Sequence, residues 1–250
     1  KLIKFKKKND QKSFLDLIKK KYELIIIADT NNYVFKKYFT KSIKKNYNSI
    51  AFTSIINHDS VKNKVATQHF TRFGPLAFLP ISKSQTSIVF SVFDKDLIKN
   101  KVKVLQLIEH YNNYYKIKHI SKFGQFPINL SLSRNYFHKN ILLFGDALHK
   151  IHPIAGQGFN MTLRDAKILS ELIKKNLDLG LNLDTVLEKF EVKRKNSNFV
   201  FAMGVDFLHE FFKMVNKYNM KSIDNLFKFF NRNIFIKKKI QSFADKGFIL

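Results

Sequence analysis

The segment from Gly145 to Asn160 holds the residues whose types and spacing could bind a ligand. Asp146 follows a short apolar run, Asn140 to Phe144, that predicts a buried strand. A carboxylate at the end of such a strand can accept hydrogen bonds from polyol hydroxyls. Gly156 and Gly158 let the backbone approach a flat or anionic ligand closely, and the helix that follows would aim its free amide groups at the same place. The pattern predicts a site for a ligand with a sugar-like chain, a phosphate and a ring edge.

The longer pattern G-D-A-x-H-x-x-x-P-x-x-G-Q-G-x-N is far more specific than two glycines, and a helix with Arg164 and Asp165 follows it. It resembles the second FAD motif of the para-hydroxybenzoate-hydroxylase-like flavoprotein monooxygenases, most closely their ubiquinone-biosynthesis branch. Three other segments resemble the same branch: Ile26 to Asp29 its middle motif, Phe73 to Pro80 its substrate-sheet segment, and Leu187 to Arg194 the helix after its FAD motif. The resemblance therefore spans most of the chain.

The resemblance implies a role for individual residues. Asp146 would contact the ribityl chain of the flavin, Pro153 would border the isoalloxazine face, and Gly156 through Asn160 would present backbone groups to the ring edge. The implied cofactor-binding residues are Asp29, Asp146, Pro153, Gly156, Gln157, Gly158, Phe159 and Asn160, of which Gln157 and Phe159 are included by position only. The implied substrate residues are Phe73, Pro75 and Leu76. Neither a catalytic side chain nor a metal is implied.

The resemblance also implies an activity. It is that of an FAD-dependent monooxygenase that uses NAD(P)H and O2 to hydroxylate a (poly)prenylated aromatic ring in ubiquinone biosynthesis. The hydroxylation would be carried out by a flavin hydroperoxide. The role of the protein would therefore be to position the reactants and to exclude water. A small-molecule aromatic substrate and proteins of ubiquinone biosynthesis are the expected partners, and nucleic acid is not. The alternatives are another flavin monooxygenase of the same superfamily or a basic, non-catalytic module that binds membrane or nucleic acid.

Two features depart from the family pattern. All eight glycines lie at position 74 or later, so nothing matches the G-x-G-x-x-G turn that holds the ADP half of FAD in the family. The simplest interpretation is a chain without the amino-terminal nucleotide-binding unit. The middle motif, normally Ala-Asp-Gly, continues after Asp29 with Thr30 and Asn31. Threonine resists the turn geometry that glycine allows, whereas asparagine tolerates left-handed backbone.

Composition limits the remaining classes. The chain has 250 residues and no cysteine, which excludes disulfides and thiolate metal sites. The formal charge of +26 would suit an anionic partner, but only five of the 45 basic residues are arginine and the lysines are spread along the chain. A solvated, compositionally biased surface is the favoured interpretation. No apolar run is long enough for a membrane span, so we predict a cytoplasmic protein, with a peripheral position at the inner face of a membrane as the alternative.

Two groups of residues have competing interpretations. His149 and His152 lie three residues apart and could be metal ligands, but they have no obvious third partner and the flavin interpretation already accounts for the segment. The carboxy-terminal helices contain many Phe and Lys residues. Aromatic stripes at helical spacing usually pack in a core, yet basic helices with exposed Phe also bind anionic headgroups.

The predicted elements form a mixed α/β fold, a remnant of the three-layer FAD-binding fold with an inserted antiparallel substrate sheet and C-terminal helices. Residues 1–32 are assigned to the FAD-binding domain, 33–138 to the substrate sheet plus a helix, 139–178 to the second FAD segment and 179–250 to a helical region. Strands are predicted at 23–28, 50–56, 65–73, 86–93 and 140–144. Helices are predicted at 97–117, from Asn160 to about Leu177, and from Asp184 onward.

Overall fold

The computed structural model describes residues 22–31, 33–153, 156–180 and 182–218, which form two sheets and five helices. The strands are β1 (Ile25–Ile27), β2 (Ser42–His58), β3 (Thr67–Thr71), β4 (Gly74–Ser82), β5 (Gln85–Val92), β6 (Ile117–Ile120), β7 (Gly124–Ser133), β8 (Phe137–His138), β9 (Ile141–Leu143) and β10 (His149–Lys150). The helices are α1 (Tyr33–Tyr38), α2 (Lys95–Lys99), α3 (Lys101–Tyr111), α4 (Gln157–Asp178) and α5 (Leu183–Tyr218). Among these helices, none combines the length and apolar character that a membrane crossing needs.

The small sheet has the order β1-β9-β8. β1 and β9 run parallel, with Ile27 opposite Leu143, and β8 is antiparallel to β9. All three residues of β9 are buried, which fits a central strand covered on both faces. Leu169 and Leu172 of α4 pack in the same cluster as β9, together with Leu187 and Phe190 of α5. The two long helices therefore cover this sheet.

The large sheet is antiparallel, with the order β10-β7-β2-β5-β4-β3 and with β6 paired to β2. Alternate residues of its strands face opposite sides. Phe52 and Phe90 lie on one side and pack with Val104 and Ile108 of α3. Ala51 lies on the other side, in the cluster that α5 contributes to. The sheet is thus enclosed between α3 on one face and α5 on part of the other.

The mixed fold and the antiparallel sheet agree with the sequence prediction, whereas several boundaries differ. Gly74 and Pro75 lie just outside the predicted strand 65–73 but begin β4, which pairs with both β3 and β5. The helix predicted to reach residue 117 ends at Tyr111, and β6 and β7 follow it. Pro127 lies outside every predicted strand but is part of β7, at a position that does not pair with β10. A proline is tolerated on such an unpaired edge.

Gly74 begins β4 with a backbone φ of +133°, a conformation that side chains rarely adopt. A Cβ atom at this position would lie 1.8 Å from the carbonyl oxygen of Ser91 in β5. The backbones of β4 and β5 therefore meet so closely that only glycine fits.

We expect Gly74→Ala to lower the free energy of unfolding by about 3–5 kcal/mol, because strain and a clash with backbone add together. Urea denaturation followed by circular dichroism measures the loss. The matched control is Gly180→Ala, where φ is +63° but nothing lies within 4 Å, so that only backbone strain of about 1–2 kcal/mol is expected. Equal losses for the two variants would contradict the steric explanation.

Candidate functional site

The parallel pair β1 and β9 brings two predicted ligand-binding aspartates to one edge of the small sheet. Asp29 follows β1, and Asp146 lies in a 3-10 turn, Gly145–Ala147, directly after β9. Both side chains are exposed. A Cβ on Gly145 would lie 3.9 Å from the Cβ of Ala28 and 4.0 Å from Cγ2 of Thr162 in α4. The carboxyl ends of the two strands and the first turns of α4 are therefore close neighbours, which is where open α/β sheets bind ligands.

The loop before α4 forms the other side of this edge. Pro153 is exposed, Gly156 has a φ of +66° with open space around its Cα, and α4 begins at Gln157. A Cβ on Gly158 would lie 3.7 Å from Ile151, so the first turn of the helix packs on the incoming chain. The exposed residues Phe159 and Asn160 complete the turn. The residues predicted to bind the cofactor are thus gathered around the amino end of α4.

Asp29 also has a local structural role. One oxygen of its carboxylate, Oδ1, accepts a hydrogen bond of 2.9 Å from the backbone amide of Asn31. This contact closes the turn after β1 and compensates for the threonine that replaces the family's glycine. The Asp29 side chain is exposed at this sheet edge.

The residues predicted to contact substrate lie elsewhere on the large sheet. Leu76 is fully buried among the residues that pack on α3, and Phe73 packs against the same cluster. Pro75 is half-buried opposite Phe70 of β3, on the face that α5 partly covers. β4 is four strands from β10, which corresponds to about 19 Å at the spacing of a sheet. Their contact with substrate stays a prediction.

A buried hydrogen-bond network fixes the loop to both long helices. The carboxylate of Asp165 in α4 is fully buried. His149 Nε2 lies 2.6 Å from Oδ2 of Asp165, and Arg194 Nε donates to Oδ1 at 2.6 Å. Asn198 donates to the same carboxylate at 3.1 Å, and its amide also donates to the hydroxyl of Tyr136 at 3.2 Å. We call these five residues the Asp165 network.

Burial acts to raise the pKa of Asp165, but hydrogen bonds from His149 and Arg194 and the charge of Arg194 outweigh it and hold the pKa below its ordinary value. The carboxylate is therefore ionised at neutral pH. Burial raises the pKa of Tyr136, whose hydroxyl stays protonated. In the sequence, Asp165 and Arg194 are noticeable only because they belong to segments that resemble the family. No local pattern predicts that their side chains are in contact.

A second contact lies directly before Pro153, on the opposite side of the chain. The ring of His152 is fully buried and stacks on His209 of α5, with ring centroids 4.2 Å apart. Tyr47 of β2 packs edge-on against both rings. Burial and the neighbouring His209 lower the pKa of His152 to about 3, so the ring is neutral at pH 7. His149 and His152 thus contact different partners, Asp165 and His209, and the part of the chain that the structure describes has no cluster of three or more His, Asp or Glu side chains that could hold a metal ion. No sequence signal marked His209.

Several buried polar atoms around this loop have no hydrogen-bond partner among the described residues. They are His149 Nδ1, Gln157 Oε1, His209 Nε2 and both ring nitrogens of His152. Folded proteins leave very few such atoms unpaired, and those that remain call for water or a ligand. Gln157 Oε1 belongs to the first turn of α4 and so bears on a ligand at this edge, whereas the other atoms belong to histidines that face the Asp165 network and α5.

These residues fit the ribityl and ring portion of a flavin. Asp146 offers carboxylate oxygens to hydroxyl groups, and Gly156 leaves room for a flat ring. The first amides of α4 point towards a ligand at its amino end, where the helix dipole favours negative charge. No described residue supplies a second glycine-rich turn for a nucleotide, as the sequence already indicated.

Removing the carboxylate of Asp165 leaves Arg194 buried without its ionic partner, so we expect Asp165→Ala to lower the free energy of unfolding by about 3–5 kcal/mol. Lys195→Ala is the matched control on α5. It removes only the half-exposed ion pair with Glu191, four residues earlier, and should cost about 0.5 kcal/mol or less. Urea denaturation compares the two. A loss for Asp165→Ala as small as that of the control would contradict the structural role of the network.

The squalene epoxidase family model matches residues 121–243. The mitochondrial ubiquinone biosynthesis monooxygenase COQ6 of Danio rerio is 23% identical over 229 residues, which cover 74% of this chain and 47% of the relative. The 3-demethoxyubiquinol 3-hydroxylase of Escherichia coli K12 is 29% identical over 151 residues, covering 57% of this chain and 38% of the relative. The chain spans less than half the length of these relatives.

Solved structures show the same fold. The p-nitrophenol 4-monooxygenase PnpA of Pseudomonas putida DLL-E4 matches with a TM-score of 0.71 at 14% identity, covering 91% of this chain and 60% of that one. HpxO of Klebsiella pneumoniae, solved with FAD and uric acid, matches with a TM-score of 0.63 at 14% identity, covering 89% of this chain and 59% of that one. The chain is therefore related in sequence to the flavoprotein monooxygenases of the ubiquinone-biosynthesis branch and has the fold of flavin monooxygenases, which confirms the resemblance seen between Gly145 and Asn160.

Proposed function

We propose that this chain is the part of an FAD-dependent monooxygenase that holds the flavin ring and the substrate, and that the enzyme hydroxylates a prenylated aromatic ring of a ubiquinone precursor. The observation that carries the proposal is the meeting of Asp29, Asp146 and the Gly156 turn at one sheet edge. Gln157 Oε1, a buried oxygen in the first turn of α4 with no hydrogen-bond partner among the described residues, adds support. The names of the related ubiquinone-biosynthesis enzymes support the substrate class.

The residues of the chain act by binding and orientation. Asp146 accepts hydrogen bonds from the ribityl hydroxyls, and the free amides of α4 face the ring edge. FAD supplies the redox chemistry with O2 once reduced by NAD(P)H. No side chain is assigned a proton-transfer role at this edge, so the contribution of the protein is to position the ring and to exclude water.

An exposed apolar strip on the large sheet supports the prenylated substrate. Phe126 of β7 lies opposite Ala51 of β2, and Ile55 of β2 lies opposite Ser87 of β5. Leu79 of β4 pairs with the same Ser87, which places all three apolar side chains on the face that α5 partly covers. Phe126, Ile55 and Leu79 are 58%, 39% and 39% exposed. An apolar chain lying across this face would remove them from water.

The flavin proposal is tested by the visible absorption spectrum and the FAD affinity of the protein purified with its native upstream sequence. The parent should show the absorption bands of bound flavin at roughly 370 and 450 nm. Asp146→Ala removes the carboxylate that binds the ribityl chain, and the loss of about 1.5–3 kcal/mol should weaken FAD binding roughly tenfold or more. Fluorescence titration of the apoprotein with FAD gives the dissociation constant.

Asp178→Ala is the control, because Asp178 is the last residue of α4, far from its amino end. It should keep the parent's affinity for FAD. A colourless parent that takes up no added FAD would overturn the flavoprotein proposal. An Asp146→Ala variant that binds FAD as tightly as the parent would remove Asp146 from the site.

We also propose that α5 lies at the surface of a membrane that contains the substrate. Val192, Phe199, Phe207 and Met214 are exposed and recur every seven or eight residues, so they form one stripe on the outer side of the helix. This α5 stripe is about 33 Å long at the rise of a helix. The net charge of +26 favours anionic headgroups, and apolar side chains on a basic protein insert at the headgroup boundary.

Phe207→Ser should reduce binding to phosphatidylserine-containing liposomes about tenfold, because one phenyl ring accounts for roughly 1.5–3 kcal/mol of burial. Liposome flotation measures the bound fraction. Val102→Ser is the control, since Val102 is 67% exposed on α3, outside the α5 stripe. Equal binding by both variants, or binding that high salt abolishes entirely, would favour a purely electrostatic contact.

A further inference from the structure

The contact between His152 and His209 differs from the other anchors of the loop. The Asp165 network holds His149 by charged hydrogen bonds, whereas the His152 ring makes no hydrogen bond with either nitrogen. Its neighbours are the stacked ring of His209 and the edge of Tyr47. His152 precedes Pro153, the residue that borders the proposed flavin site. The packed ring of His152 therefore anchors the chain directly before Pro153.

We propose that His152 and His209 are positioning residues whose stacked rings hold the Pro153 loop against α5, and that the contact requires both rings to be neutral. Its consequence for FAD binding rests on the proposed function, but the contact itself does not. A positive charge on either ring would be buried next to a second imidazole with no acceptor for its extra proton. The stack would then open and release the loop.

The charged groups around the pair come from two elements. On β2, Lys45 donates to Asp206 at 2.8 Å and Tyr47 donates to the same carboxylate at 2.7 Å. On α5, Asp206 and Glu210 favour the charged form of His209, while Lys213, together with Lys45 of β2, opposes it. Asp206 favours the charged form of both rings, but its carboxylate already accepts hydrogen bonds from Lys45 and Tyr47, and burial outweighs its charge at both rings.

Burial lowers the pKa of both rings in the closed loop, so protons bind preferentially to the open loop, where an exposed histidine has a pKa of about 6.5. The closed form, in which the two rings are stacked, is thus fully favoured above pH 6.5. Its population falls as the pH drops below that value. For a ring whose closed-state pKa is about 3, the equilibrium between open and closed loop shifts about 30-fold towards open between pH 7.5 and pH 5.

Hydrogen exchange measured by mass spectrometry on the full chain tests this without FAD. After correction for intrinsic exchange, we expect the amides of Ile151 and His152 in the parent to lose at least about 30-fold protection between pH 7.5 and pH 5. Peptides from β5 report global unfolding and should keep their protection. His209→Phe keeps an aromatic ring on α5 but removes one titrating group, so its loss on acidification should be clearly smaller than the parent's.

Two further variants complete the comparison. His209→Ala removes the stack and should lower the protection of the loop already at pH 7.5, whereas His119→Gln changes an exposed histidine on β6 and should match the parent at both pH values. No loss in the parent, or equal losses in the parent and His209→Phe, would overturn the proposal. If His209→Ala does not fold, the parent and His209→Phe still decide the question.

FAD affinity measured at the same two pH values forms the second arm. A parent that binds FAD at pH 7.5 and loses affinity at pH 5 in parallel with loop protection supports both proposals. A parent that binds no FAD at pH 7.5 overturns the proposed function, and the exchange data still decide the role of the histidine pair. Affinity that stays constant while the loop opens would show that the stack does not position the flavin site.

Discussion

The buried carboxylate of Asp165 is the constraint on which the rest of the structure depends. A charge inside a protein is tolerated only when several donors surround it, and here the donors come from distant parts of the chain. His149 lies in β10, Arg194 and Asn198 lie in α5, and Asp165 itself lies in α4. Because all of them must reach one carboxylate, the strand, the loop and the two long helices have one mutual arrangement. The network thereby joins the small sheet and the large sheet.

This arrangement leaves the amino end of α4 open while the next turns are fixed. Met161 is fully buried between the loop and α5, and Asp165 is held one turn later. The residues before them, from Gly156 to Asn160, are exposed or half-buried. A rigid helix with an exposed first turn is preorganised for a ligand, because the helix loses little conformational freedom when the ligand binds. The exposed Asp146 meets it from the end of β9, as part of the same rigid unit.

The sequence predicted the elements whose signals are local. β9 lies in a short apolar run that precedes Gly145, and α4 follows a glycine-bearing loop, so both were predictable along with the aspartate between them, although α4 begins at Gln157 rather than at the predicted Asn160. β4 and β7 were not, because Gly74 and Pro127 normally interrupt strands. In the fold Gly74 permits close contact with Ser91, and Pro127 lies where β7 has no partner on one side. Such uses depend on the neighbouring strand and cannot be read from the chain alone. The pairing of Asp165 with Arg194, 29 residues away, and of His152 with His209 has the same origin.

The enzyme hypothesis and the hypothesis of a basic binding module make different demands on the geometry. A binding module needs a continuous cationic face, and its glycines serve only packing. Among the described residues, no atom lies within 4 Å of a Cβ built on Gly156, so this glycine is not a packing glycine. Its positive φ is a conformation that glycine adopts readily and that a side chain resists. The space beside it lies next to Asp146 and the first turn of α4, where the buried Gln157 Oε1 also lacks a partner, and this combination fits the enzyme hypothesis. The exposed apolar side chains of the α5 stripe can also account for membrane contact without the positive charge. Neither proposed function therefore requires the lysines.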